Sequence, residues 1–94
     1  MAKKSIQKLK SKSVAVLGLG RFGVGVVRTL AAQNVDILAF DKSESRLQEV
    51  AGIVTHAVCG DASDEAVLKS LELANYDAVV IAITEDFESA QVAA

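Results

Sequence analysis

The sequence predicts an α/β fold, a doubly wound parallel sheet, on three observations. Short apolar runs alternate with segments of helical periodicity along the whole chain. The first run leads straight into a glycine-rich turn, Gly18-Leu19-Gly20-Arg21-Phe22-Gly23. The apolar fraction is 51%, carried by Val, Ala, Leu and Ile rather than by aromatic rings. That composition suits strands covered on both faces, which read as continuous apolar runs. Ninety-four residues make one small domain at most, with a thin margin for a buried core.

The elements follow in order. Val14 to Leu17 is a buried strand that ends at the glycines. Residues 21–34 form a helix, with Phe22, Val26, Val27 and Leu30 recurring on one inward face and Asn34 as its stop. Val35 to Phe40 is the second strand, ending at Asp41. Residues 43–52 form a short helix that Ser43 or Ser45 caps and Gly52 terminates. Residues 54–60 are the third strand. Ser63 or Asp64 opens the next helix, with Val67, Leu68 and Leu71 turned inward. Residues 77–83 are the fourth strand. Thr84 then offers an N-cap, and Glu85, Asp86 and Glu88 place negative charge in the first turn of a last helix.

This βαβαβαβα order, with crossovers long enough for parallel pairing, predicts a Rossmann-like sheet of strand order 3-2-1-4. A complete fold of this class continues to two more strands. The expected organisation is therefore a basic lead-in over residues 1–12 and a nucleotide-binding domain over 13–94 that is truncated before its last two strands.

Composition excludes several functions. Cys59 is the single cysteine, so no internal disulfide forms and a reducing cytoplasm is the simplest setting. One Cys and one His cannot assemble a zinc site. The longest unbroken apolar run, Ala78 to Ile83, is far too short to span a bilayer. The basic start followed by apolar residues mimics a signal peptide faintly, but the apolar part is short and no cleavage site follows. Lys3, Lys4, Lys8, Lys10 and Lys12 put five positive charges in the first twelve residues; the remainder carries the other five Lys or Arg against twelve acids. The lead-in reads as a solvated arm or as one that touches an anionic surface. The acidic body argues against nucleic acid as a partner.

The glycine motif sits between a strand and a helix, the context in which it binds a diphosphate. Gly18 permits the tight turn, Gly20 lets backbone approach the anion, and Gly23 lets the helix pack close to the strand. Helix N–H groups and the helix dipole hold the phosphates. Asp41 stands where a carboxylate accepts hydrogen bonds from ribose hydroxyls, or caps the helix after it. Its charge disfavours a 2′-phosphate, an effect that Lys42 beside it softens. Asp61, after the third strand, either accepts from an adenine amino group or caps the following helix. Ile83 and Thr84 complete the rim. His56 reads as a packed or edge histidine and Cys59 as a small apolar filler. Tyr76 has Val80, not lysine, four residues on, so the tyrosine–lysine pair of short-chain dehydrogenases is absent. No acid–base pair of the kind catalysis needs is evident, and the chain is expected not to be an enzyme.

The segments "VAVLGLGRFG", "DILAFDKSESRLQEV", "VTHAVCGDASDEAVLKSLEL" and "YDAVVIAI" run in order along residues 13–94. Together they resemble the nucleotide-binding N-terminal half of the KTN or RCK family, the domain that regulates potassium conductance in Trk-type and Ktr-type uptake systems and in ligand-gated potassium channels. The likeness is strongest to the cytosolic gating subunit of Ktr systems. The resemblance implies homo-oligomers, dimers and octameric rings, docked from the cytoplasm on a membrane-embedded potassium-translocating subunit. It implies ATP or ADP in the cleft, with NAD or NADH as alternatives, and a ring that changes shape when ATP and ADP exchange. It carries the site onto Gly18, Gly20, Arg21, Phe22 and Gly23, then Asp41 and Ser43 at the ribose, Asp61 and Ala62 beside the adenine, and Ile83 and Thr84 at the fourth strand. Ser43 stands where relatives often have asparagine. Arg21 suits a reader of terminal phosphates, because a guanidinium grips phosphate more strongly as its charge rises. The cofactor half of an NAD-dependent dehydrogenase is the competing reading, since ATP, ADP and NAD share the adenosine diphosphate portion.

Overall fold

The computed structural model of the chain describes residues 12–83. Most of the basic lead-in, Thr84 and the expected last helix lie outside the described residues. Four strands form one parallel sheet of order β3-β2-β1-β4, as the sequence predicts. They are β1 (Ser13–Leu17), β2 (Asp36–Asp41), β3 (His56–Cys59) and β4 (Ala78–Ile81). Three helices link them, α1 (Arg21–Ala31), α2 (Glu44–Val50) and α3 (Glu65–Ser70), with short 3-10 turns after α2 and α3.

Burial concentrates on the two central strands. Val14 and Val16 of β1 pair in register with Ile37 and Ala39 of β2. On that face they pack with Leu19, Val27, Leu47 and Val50 into one apolar cluster. The alternate residues, Ala15, Leu17, Leu38 and Phe40, are buried on the opposite face. Both faces of β1 and β2 are therefore covered, which explains their unbroken apolar sequence. The outer strands are wetter. Val80 of β4 packs against the cluster, whereas Val79 and Ile81, in register with Ala15 and Leu17, stay exposed.

Helix ends follow local chemistry. Ser43 caps α2, its Oγ accepting from the Arg46 N–H at 3.3 Å. Asp64 caps α3, accepting from the Ala66 N–H at 3.0 Å. Asn34 takes the left-handed conformation (φ 60°) that ends the turn after α1. Gly52 does not terminate α2 as expected. It lies inside the 3-10 turn Ala51–Ile53, without positive φ. Helix α3 is shorter than its apolar pattern suggests, because Glu72 turns left-handed (φ 53°) and starts a second 3-10 turn.

Phe22 requires a correction. Its spacing with Val26 and Leu30 places it on an inward face, yet it is 65% exposed. The buried positions of α1 are Gly23 and Val27, with Val26 and Leu30 only half-buried. The close approach at Gly23 turns that side of the helix to the sheet, and a neighbour one residue away points outward. Cys59 is also no filler: it is exposed on β3, its thiol donating to the Lys42 carbonyl at 3.5 Å. His56 sits exposed on the same edge strand, as an edge histidine should.

Candidate functional site

The carboxyl ends of the four parallel strands share one rim. β1 feeds directly into the glycine loop there. Gly18 has φ 105°, a conformation that disfavours any side chain. Its N–H donates to the Phe40 carbonyl at 2.7 Å, and a Cβ on it would stand 2.5 Å from the Ala82 carbonyl oxygen. Gly23 is equally constrained, since a Cβ there would collide with the Gly18 carbonyl. These two glycines are required by the protein's own packing.

Gly20 is different. Its backbone (φ −74°, ψ −164°) is open to any residue, and a Cβ would meet no protein atom within 4 Å. Nothing in the fold demands glycine at this position, and Gly20 faces the cleft. It is also the N-cap of α1, without a side chain to cap with, and the first turn of α1 contains no acid. The helix thus presents its first N–H groups and its positive dipole end without an acid in its own first turn. A helix end of this kind is suited to an anionic group.

Asp41 fixes the loop. It is the one buried charged residue among the described residues, 8% exposed. Oδ2 accepts from the Leu19 N–H at 2.7 Å and Oδ1 from the Ser43 N–H at 2.8 Å. An ionised carboxylate has about four acceptor sites. These two bonds use about half of them, and they tie the glycine loop and the α2 cap to the end of β2. Asp61, after β3, is exposed, and its Oδ1 accepts from both the N–H and the Oγ of Ser63 at 2.9 Å. Those hydrogen bonds, with a smaller contribution from the charge of Lys42, hold its carboxyl below the ordinary 3.8. Asp61 thus closes a turn ahead of α3 and leaves the capping to Asp64.

A cleft of about 160 Å³ opens along this rim. Of the predicted residues it gathers Gly18, Gly20, Asp41, Lys42, Asp61, Ala62 and Ile83. That volume is below the roughly 300–1,000 Å³ of pockets that swallow a whole small ligand. The cleft has room for only part of a molecule the size of a nucleotide. The remaining predicted residues stand elsewhere. Gly23 is buried under the loop, and Ser43 serves as the α2 cap. Arg21 and Phe22 line a separate hollow on the outer side of α1, with Val26 and Leu30. Thr84 lies outside the described residues. The cleft also holds Phe40 and Ala82, whose strand-end positions could have marked them. Arg46 lines it too, five residues past Asp41, signalled only by being a cation in the first turn after that carboxylate.

The strand order, the glycine loop and the carboxylate closing β2 define a Rossmann-like α/β domain. Within that class the chain belongs to the TrkA-N domain family, whose model matches residues 14–94. Ktr system potassium uptake protein C of Bacillus subtilis (strain 168) is 45% identical over 78 residues, 83% of this chain and 35% of that protein. Ktr system potassium uptake protein A of Vibrio alginolyticus is 38% identical over 86 residues, 92% of this chain and 39% of that protein. The Trk system potassium uptake protein TrkA homolog of Pyrococcus abyssi (strain GE5 / Orsay) is 32% identical over 66 residues, 69% of this chain and 29% of that protein. The chain spans little more than a third of the length of the Ktr relatives it matches. No helix among the described residues is long and apolar enough to cross a membrane.

Proposed function

We propose that this chain is a regulatory nucleotide-binding domain that gates a potassium transporter or channel, with ATP and ADP as its ligands and NAD or NADH able to occupy the same cleft. The observation that carries the binding is Gly20, a glycine the fold does not need, at an uncapped helix start facing the cleft. Asp41 would hold the ribose, and Asp61, Ala62 and Ile83 would surround the base. The potassium role is supported by the family and by the names of the relatives.

Gating by such a domain needs no turnover. A ligand shifts a conformational equilibrium only by its difference in affinity for the two states. ATP and ADP differ in terminal charge, so two arrangements of a homo-oligomer that place different charge near the phosphates would be sorted by the exchange. The membrane-embedded translocating subunit is the proposed partner, reached from the cytoplasmic side. The loop and Asp41 would serve an NAD-dependent dehydrogenase equally well; the relatives' names favour the transporter.

The test is a melting-temperature titration of the 94-residue chain with ATP, ADP, NAD and NADH, with the ligand retained on purification identified by mass. A native-state ligand at a hundred times its Kd adds about 2.7 kcal/mol, which raises the midpoint of so small a domain by roughly 10 °C or more. No shift with any of the four would remove the nucleotide reading. NADH formed from NAD in the presence of a substrate would favour the dehydrogenase.

A further inference from the structure

Arg46 is the one charged residue of the cleft lining that is absent from the residues expected at the site. It occupies the third position of α2, and the bond from its N–H to Ser43 Oγ fixes where its side chain begins. Its side chain lines the cleft together with Asp41 and Asp61. The guanidinium has no hydrogen bond or ion pair with any other described residue.

Its place along the rim decides what it can reach. The strand order puts the end of β2 between the glycine loop of β1 and the end of β3. Helix α2 connects β2 to β3 and packs over both of these strands. Because the chain leaves β2 towards β3, away from β1, the first turn of α2 that carries Arg46 stands on the side of Asp41 opposite the glycine loop. If phosphates sit on the loop and the ribose on Asp41, the part of the ligand that arrives at Arg46 is the base.

Resting on the proposed nucleotide site, the geometry points to Arg46 as a specificity-determining residue that lays its guanidinium plane against the face of the adenine ring. A purine is flat, uncharged and rich in π-electrons. A guanidinium is planar, permanently charged and weakly hydrated, so it stacks on such a face where an ammonium would stay in water.

Base contact and phosphate contact leave different signatures. Calorimetric titrations of the wild-type chain, Arg46→Ala and Arg46→Lys with ADP, ATP, NAD and NADP separate them. Arg46→Ala is expected to weaken ADP, ATP and NAD by one common factor, about tenfold. Arg46→Lys, which keeps the charge and loses the plane, recovers only part of that. An unchanged melting temperature without ligand checks that these exposed substitutions leave the fold intact. A loss that grows from ADP to ATP makes Arg46 a phosphate ligand and overturns the inference. A loss confined to NADP makes it a 2′-phosphate clamp and does the same, as do equal affinities in all three proteins. Failure of the wild-type chain to bind any of the four overturns the nucleotide site itself and this inference with it.

Discussion

The backbone N–H of Leu19 donates to Oδ2 of Asp41 at 2.7 Å, a buried bond between residues 22 apart in sequence. It joins the glycine loop to the end of the neighbouring strand and holds the loop's course before any ligand arrives. The other oxygen of the same carboxylate takes the Ser43 N–H at 2.8 Å, so one side chain sets both the glycine loop and the start of α2.

Asp41→Ala should therefore cost stability in the ligand-free protein as well as affinity. It strands a buried N–H at Leu19, and leaving a buried donor without its partner costs about 1–3 kcal/mol. Urea denaturation of the free chain should show a lower midpoint with an unchanged m-value. A residue used only for ribose would leave that midpoint where it is.

Asp61 predicts a pH effect of known sign. Its carboxyl is held below 3.8, first by the backbone and side-chain hydrogen bonds from Ser63 and then by Lys42. A carboxyl whose folded pKa is depressed contributes stability that is complete above its unfolded pKa and is lost as pH falls through the folded one. The turn that opens α3 should loosen only below about pH 3.8. Carbon-detected NMR titration of the Asp61 carboxyl checks this. Ser63→Ala removes the hydroxyl contact and should move the titration upward, toward the ordinary value.

Backbone-level features were legible in the sequence because each leaves a residue-type signature. Gly18 marks a positive φ, Asp41 ends a strand with a charge, and Ser43 and Asp64 precede helices. Side-chain direction was less legible. Phe22 has the spacing of an inward residue, but the contact between Gly23 and Gly18 sets the rotation of α1 and turns it out. Arg46 could not be placed in the cleft from its position alone. Which residue of a first helical turn faces a cleft depends on where the helix packs, and α2 packs over both β2 and β3. The 3-10 turn at Gly52 was hidden for a similar reason, since a helix-ending glycine and a 3-10 glycine look alike in sequence.

Arg21 sits exposed at the first position of α1, outside the cleft lining. In the free protein its charge opposes the helix dipole, an effect of no more than about 0.3–1 kcal/mol at such a surface site. Arg21→Ala should leave the ligand-free melting temperature level or slightly higher. If the side chain swings to terminal phosphates, the same variant should weaken ATP more than NAD, because a guanidinium gains most from the higher charge. Parallel titrations with the two ligands give the ratio. Equal losses, or none, would restrict Arg21 to the outer hollow it shares with Phe22.

Glycines 18 and 20 separate packing from binding. At Gly18 a methyl group would meet the Ala82 carbonyl, and the backbone has φ 105°. Gly18→Ala should destabilise the chain by about 1–3 kcal/mol and weaken binding only as a consequence. At Gly20 the Cβ position is open and the backbone is extended. Serine is a favoured residue at such an N-cap, and its hydroxyl can accept from the first turn of α1. Gly20→Ser should keep the melting temperature of the free chain or raise it slightly. It should also abolish the rise expected with ADP, because the side chain would fill the space over the loop proposed for the diphosphate. A Gly20→Ser protein that is stable and still binds ADP would show that the space over the loop is not the phosphate site.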